Sequence, residues 1–568
     1  DLSFFNPILK DWYEVYNLSG NLEGTVDNFR LKKMRLFTGR NTFLTGTLNM
    51  RGLPEIDETF VDLRLKPSFV NPVDLEFYAG KDAADYLSML GVFDVSGSFT
   101  GFFKNFVTRS TFQTKLGTLN ADIQMEIKDD LQASTYNGRL KTASFDLGRL
   151  LNKRKYIQEI DFNGTIRGKG FTPKKADVYV KADVNRFGVL GYNYVKIKTD
   201  GHYRNQEYSG NLSIKDPHLI FNGTGKVDLR KGKEEVDLDV VLGRANFKPL
   251  KLTQDALDAS AEVAMHFKGF DFDNFAGESK MKNVRVLFRD ERLDLDEVSI
   301  ESHIENGNKT FTFNSPLVDM VLEGSFKYKK FVEDAVSLVD EYTRLIKNQS
   351  RLNHEAFVTE RKKSAVDYGI SAKLNIKDIN PLLDLLDQPL TISKNTEVDA
   401  RFQFGTTEML LINSHIDSIR YQDKTMYETS IDISATKTIE RPDVLAEVYV
   451  YSEQQNWSPE IKKKKILFDG VWDKGKIGFK LLGKEKNNTN RANIYGEVQF
   501  EPQTTRIRLK NSSLSLVERI WNINQENEIE ISDSSTVNFR NVSMSNENQQ
   551  LSMEGFLTGR PEDTLYIK

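Results

Sequence analysis

The sequence predicts an all-β chain: one long, curled antiparallel β-sheet built of repeats, with a few short helices and one longer inserted amphipathic helix. Three observations lead there. Apolar residues recur at every second position through run after run, the period of a half-buried strand. The pattern Φ-x-Gly-x-Φ, with Φ a large apolar residue, returns along the chain in the same phase, as internal repeats do. Short turn signals, and no alternation of long helices with strands, separate the runs, which favours meander connections over parallel crossovers.

The clearest stretch is Tyr194–Leu242. Tyr208, Gly210, Leu212 and Ile214 share one side of an extended chain and Ser209, Asn211 and Ser213 the other. Asp216-Pro217 breaks that strand. Leu219, Phe221, Gly223, Gly225, Val227 and Leu229 form the next, with Asn222, Thr224, Lys226 and Asp228 outward. After Lys231-Gly232-Lys233, Val236, Leu238, Val240 and Leu242 alternate with Asp237 and Asp239. The glycine pattern recurs at Leu18-Gly20-Leu22-Gly24, Leu44-Gly46-Leu48, Val95-Gly97-Phe99-Gly101, Phe162-Gly164-Ile166-Gly168, Leu322-Gly324-Phe326, Phe468-Gly470-Trp472, Ile494-Gly496-Val498 and Met553-Gly555-Leu557-Gly559. Glycine at the apolar phase implies that the sheet bends there, or that another group closely approaches the backbone.

Several units open with a short helix. Asn6-Pro7-Ile8-Leu9-Lys10-Asp11-Trp12 places a capping Asn before Pro; similar segments stand at Ala83–Leu90, Leu147–Leu151 and Asn380-Pro381-Leu382-Leu383. Ile392 follows Asn380 at the spacing by which Leu18 follows Asn6, which supports a true repeat. A longer helix is predicted at Phe331–Ile346: Phe331, Val332, Ala335, Leu338, Val339, Tyr342, Leu345 and Ile346 form a stripe, and Glu333, Asp334, Asp340, Glu341, Arg344 and Lys347 the opposite face. It is expected to cover a sheet end or groove edge, with a membrane-surface or gating role as the other reading. The chain thus divides into repeating β units over 1–327, the helix insertion at 328–350 and more degenerate β units over 351–568.

Composition narrows the function. With 37 Phe, 36 Gly, 14 Pro and a mean hydropathy of −0.48, the chain is strand-rich and neither low-complexity nor bilayer-spanning. A net charge of −4 offers no basic footprint for nucleic acid. The absence of cysteine removes disulfides, thiol nucleophiles and thiolate metal sites. His202, His218, His266, His303, His354 and His415 lack metal-ligand spacing, and there is no nucleophile elbow, Walker loop or dinucleotide fingerprint. Asp237, Asp239, Asp294 and Asp296 read as the wet face of strands, and Lys462–Lys465 and Arg361-Lys362-Lys363 as solvated loop tips, with a role at lipid headgroups as the other reading of the basic runs. An enzyme, a metal and a cofactor are not expected. Sequons such as Asn163-Gly164-Thr165 and Asn222-Gly223-Thr224 fall inside strands and read as coincidence. A start at Asp1 without methionine or signal sequence, and an end at Tyr566-Ile567-Lys568 in mid-strand, suggest an interior piece of a longer protein.

A long sheet with one apolar face cannot leave that face in water. It closes on itself as a sandwich or solenoid, turns the face to lipid as a barrel, or curls into a trough around an apolar ligand; inserted helices and irregular strand spacing disfavour the barrel. The segments Asn137-Gly138-Arg139-Leu140 to Phe145-Asp146-Leu147-Gly148, Phe162-Asn163-Gly164-Thr165-Ile166-Arg167-Gly168-Lys169-Gly170, Gly191-Tyr192-Asn193-Tyr194, and Leu212-Ser213-Ile214-Lys215-Asp216-Pro217 before Phe221-Asn222-Gly223, together with Leu18–Gly24 and Asn380–Leu383, resemble in order the periplasmic region of TamB proteins of the Bacteroidota. These belong to the AsmA-like superfamily of bridge-like lipid transfer proteins. The resemblance covers most of the chain and is more specific before Val240.

It implies a taco-like apolar groove in the periplasm of a diderm bacterium. It also implies an N-terminal segment in the inner membrane and an Omp85-family outer-membrane partner. The function expected is conduction of phospholipids between inner and outer membrane, acyl chains in the groove and headgroups in water. The lining expected comprises Leu22, Leu48, Phe99, Ile166, Tyr208, Leu212, Ile214, Leu219, Phe221, Val227, Leu238, Val240, Phe326 and Trp472. Roughly 25–30 strands at about 4.8 Å would give a groove roughly 120–145 Å long. The alternatives are a scaffold or chaperone for outer-membrane protein assembly, pairing with client strands, and a filled β-solenoid adhesin.

Overall fold

The computed structural model describes residues 17–75, 87–270, 273, 275–346, 367–438, 444–457, 462–473, 476–485, 489–501, 504–516, 518–532, 536–557 and 565–568. Two compact units are distinguished: Asp1–Lys268 with Asn283–Asp290, and Gly269–Lys282 with Glu291–Lys568. The chain is all-β, with 36 strands among the described residues. That exceeds the 25–30 expected because segments as short as Phe145–Asp146 and Leu390–Ile392 are too brief to show an alternation.

In the first unit the strands run as an antiparallel meander from Asn17–Thr25 to Leu257–Lys268, each pairing with the next. The exception is Phe145–Asp146, which shares Ile157–Lys169 with Thr135–Ala143. Two-residue turns fix the register. Leu190-Gly191 (φ 51° and 81°) joins the paired Val189 and Tyr192, and Asn205-Gln206 (φ 49° and 67°) joins Arg204 and Glu207. Paired positive φ values match the right-handed twist of the flanking strands. In the second unit the meander continues from Glu291–Glu305, where Asn306-Gly307 (φ 49° and 82°) forms the same kind of turn. Leu390–Ile392 and the hairpin Ser513–Leu516 with Arg519–Ile523 are inserted beside it.

Among the described residues there are three α-helices. Helix α1, Leu147–Leu150, is capped by the Asp146 carboxylate, which accepts from the Arg149 amide at 2.9 Å. Helix α2, Tyr328–Ile346, begins three residues before the helix that apolar spacing predicts. Helix α3, Asn380–Leu385, explains the twelve-residue spacing to Ile392. The Asn380 amide accepts from the Ile392 N–H and donates to its carbonyl, each at 2.9 Å, pinning the next strand to the helix. The corresponding Asn6–Trp12 lies outside the described residues, as do Arg361–Lys363 and the first half of Ala83–Leu90.

Three expectations change. Lys462–Lys465 belongs to the strand Lys462–Asp473 rather than to a loop tip. The run is admitted because Lys465, at φ 58°, is the extra residue of a bulge, with its ammonium 3.6 Å from Glu453. Leu229 leaves its strand and is exposed, whereas Asp228 is buried beneath the Arg230 guanidinium. In α2 the buried stripe is rotated from the predicted one: Val332 is 56% exposed and Asp334 only 7%.

Candidate functional site

In an antiparallel sheet, directly opposed residues project to the same side. The register therefore traces rows of side chains across the strands. In the first unit one row passes through Leu22, Leu31, Leu48, Leu63, Phe99, Thr108, Ile123, Gly138, Ile166, Val180, Gly201, Gly210, Gly225, Leu238 and Met265. It contains no charged residue. The row two residues along holds Phe29, Met50, Val61, Phe106, Met125, Tyr136, Val178, Tyr203, Tyr208, Val227, Val236 and Phe267 with glycines between them, and is equally uncharged. The row in the opposite phase runs through Glu23, Arg30, Asp62, Arg167, His202, Lys226, Asp237 and His266. Charge is thus confined to one side of these rows.

The second unit keeps the rule along its central row, while Lys309, Glu408 and Lys437, all buried, fall in the apolar phase beside it. Phe311, Leu322, Ala372, Ala400, Ile412, Ile433, Val448, Gly470, Phe479, Gly496 and Leu509 are opposed in turn. Glu323, Arg401, Glu447, Glu497 and Arg508 lie in the opposite phase.

Most residues of the uncharged face are neither buried nor fully exposed. Leu48, Phe99, Ile166, Tyr208, Leu212, Ile214, Leu219, Phe221, Val227, Leu238 and Trp472 are all half-buried, and Val240 is buried. Ala182, Val184 and Ile197 are buried and pack against Leu212 and Ile214. The tyrosines turn apolar rings to this face and polar tips to its rim: the Tyr136 hydroxyl donates to the Gly170 carbonyl at 3.0 Å and Tyr203 to Pro173 at 2.8 Å. Burial pushes both phenols up from their ordinary pKa.

Aromatic rings cover three of the repeat glycines. A Cβ on Gly223 would come within 2.7 Å of the Phe221 ring, on Gly470 within 3.0 Å of the Phe468 ring and on Gly496 within 2.6 Å of the Phe479 ring. The group that approaches the backbone closely at these positions is a neighbouring aromatic side chain of the same face.

Two sequence-predicted lining residues stand apart. Leu22 is in register with Leu31 but 66% exposed, in a strand exposed along its whole length. Phe326 is not in a strand. It is buried between Tyr328 and Phe331, ring centroids 5.1 and 6.0 Å away, in the core that α2 makes with the sheet. Alternation extended through Gly324 put Phe326 in phase, but the chain has already turned toward the helix.

Helix α2 lies on the uncharged face of the second unit. Tyr328, Phe331 and Leu338 pack with Leu322, Ile370, Ala372, Ala400, Phe402 and Phe404, and the Phe331 and Phe402 rings are 5.5 Å apart. The buried Asp334 carboxylate accepts from the Tyr368 hydroxyl at 2.6 Å and from Lys330 at 2.8 Å. Lys309, opposed to Gly324 on this face, is buried with its ammonium 4.9 Å over the Tyr328 ring and bonded to the Asp273 carbonyl. Sequence reasoning missed this seat because the rotation of a helix is set by what it packs on.

Sequence reasoning also missed a trio on the charged side. His415, Asp417 and Glu428, all exposed, bring possible ligand atoms within 4.8 Å of one another. They come from two paired strands, and Glu428 has φ 46°, so no linear spacing reveals them. Neither a family model nor a curated protein matches this chain.

Proposed function

We propose that this chain is a segment of a periplasmic bridge that conducts phospholipids between the inner and outer membranes, as its resemblance to TamB proteins implies. Acyl chains run over the uncharged face while headgroups stay in water. The observation that carries the reading is the register: apolar and small residues stay in phase through the hairpins of each unit, and charge is held to the opposite phase except at buried Lys309, Glu408 and Lys437 of the second unit. A half-buried apolar face of this extent calls for an apolar occupant. Acyl chains suit it because they need neither a fixed hydrogen-bond pattern nor a closed pocket.

The physics requires no cofactor. A lipid crossing water exposes its chains at about 0.8 kcal/mol per methylene, and a continuous apolar lining lowers that cost along the path. Attachment to the inner membrane and an Omp85-family partner at the outer membrane are part of the proposal through the family resemblance.

The test is lipid extraction and mass spectrometry of the gently purified protein. Phospholipid of mixed headgroup, without fixed stoichiometry, is expected; a lipid-free preparation from cells and from vesicle incubation overturns the reading.

A further inference from the structure

Burial on the uncharged face of the second unit is uneven. Under α2, Ile370 and Phe404 are 3% exposed, Ala372 5% and Ala400 8%. A few strands further along, Ile433, Val448, Phe468 and Phe479 are only half-buried. The face is therefore filled where the helix sits and more open beyond it, although Ala435, Lys437 and Ser452 there are buried.

The seat is apolar but not purely so. Phe331 and Leu338 enter it beside the buried Asp334 carboxylate, which takes one hydrogen bond from Tyr368 and one from Lys330. A buried carboxylate keeps a desolvation cost even when paired. The helix is therefore held less firmly than its apolar contacts alone would hold it. Its other side carries Val332 and Val336, 56% and 57% exposed, so it is apolar on a second face as well.

From this geometry we infer that α2 is a displaceable occupant of the lipid-binding face: phospholipid acyl chains and the helix compete for the strands from Val318–Gly324 to Thr407–Tyr421. The inference rests on the proposed lipid conduction and adds its regulation. With α2 seated, acyl chains reach only the open part of the second unit's face. With α2 displaced, Ile370, Ala400, Phe402 and Ile412 join the lining. The Asp334–Tyr368–Lys330 contact favours the seated position, since a shift that kept the carboxylate buried would separate it from the Tyr368 donor.

The experiment uses the full chain with vesicles containing a phospholipid that carries a photoactivatable diazirine on one acyl chain, and maps labelled peptides by mass spectrometry. The chain contains no cysteine, so the adjacent pair Asp334→Cys/Tyr368→Cys can be bridged selectively with dibromobimane to hold the helix down. Phe331→Ala/Leu338→Ala loosens it, and Val336→Ala is the control on the exposed side. Labelling of Tyr208–Leu238 in the first unit is expected in every form. Labelling of Tyr368–Ile412 should rise by about tenfold or more in the loosened form, as removal of two large apolar contacts predicts. It should fall below the wild-type level in the bridged form and stay at the wild-type level in V336A.

Equal labelling of Tyr368–Ile412 in wild-type and bridged forms, with the first unit labelled, overturns the inference and leaves lipid conduction standing. Absence of labelling in both units overturns both. Should the loosened variant unfold by circular dichroism, the bridged form, compared with its unbridged cysteine pair, still decides.

Discussion

If lipids pass over the uncharged face, a charge placed on it must obstruct them while the same charge on the other side does not. Leu212 and Phe221 are suited to the test. Leu212 is opposed to Gly223, and the Phe221 ring lies over that glycine, so the two substitutions alter one patch. Truncating two half-buried large side chains costs on the order of 3 kcal/mol, about half the sum for fully buried ones. Half-burial also leaves room for water around the new carboxylates, so Leu212→Asp with Phe221→Asp should fold, with a lowered unfolding midpoint. Along the path, two ionised groups facing acyl chains raise the barrier by several kcal/mol, which at 1.4 kcal/mol per decade slows passage by about two orders of magnitude. Ser213 and Asn222 oppose each other directly and share a hydrogen bond of 2.7 Å, so Asp at both would set like charges face to face. Ser209→Asp with Asn222→Asp is the cleaner control, because Ser209 opposes Lys226. The assay is transfer of fluorescent phospholipid between two vesicle populations, with envelope integrity in cells at matched protein levels beside it. Wild-type transfer by the inward pair refutes conduction along this face and favours pairing with client strands. Equal loss in both pairs refutes the assignment of faces.

Two further outcomes follow from buried polar groups. Burial pushes the Lys437 ammonium down to about 8, and the side chain is 4% exposed; the unfolded chain keeps that proton to about pH 10.4. The unfolded state therefore binds more protons between these values, and stability should rise from pH 8 to 10 by up to roughly 2–3 kcal/mol; Lys437→Met should flatten that rise in urea titrations, and an unchanged slope contradicts it. Asn380→Ala removes both hydrogen bonds to Ile392 and should cost about 1–3 kcal/mol, read as a lower urea midpoint; an unchanged midpoint would show that the strand Leu390–Ile392 does not depend on α3.

The strands were legible in the sequence because their period is two residues, and a half-buried sheet imposes that period directly. The assignment of Leu212, Ile214, Phe221 and Val227 to one face followed from alternation, and register alone was needed to join them to residues far along the chain such as Leu48 and Leu238. What alternation does not encode is where a strand stops. Phe326 was in phase with Leu322 yet belongs to the helix seat, and Leu229 was in phase with Val227 yet is solvent-exposed. Nor does it encode the rotation of α2, which buries Asp334 because Tyr368 and Lys330 stand ready to meet it.

The register also shows why turns matter to the face. A slip of one residue in any hairpin would carry every following side chain to the other side and set Arg167, Lys226 or Asp237 among the leucines. Two devices oppose that slip. Turns such as Leu190-Gly191, Asn205-Gln206 and Asn306-Gly307 hold paired positive φ values, which fix loop length. Where a strand carries one residue too many, a bulge absorbs it: Lys33, at φ 51°, is the extra residue between Leu31 and Met34, so both of these face inward and are buried. A charged residue that would otherwise invert the alternation is set aside locally, and the uncharged face resumes on the next residue. Local turn and bulge chemistry thus maintains a property that no single strand contains.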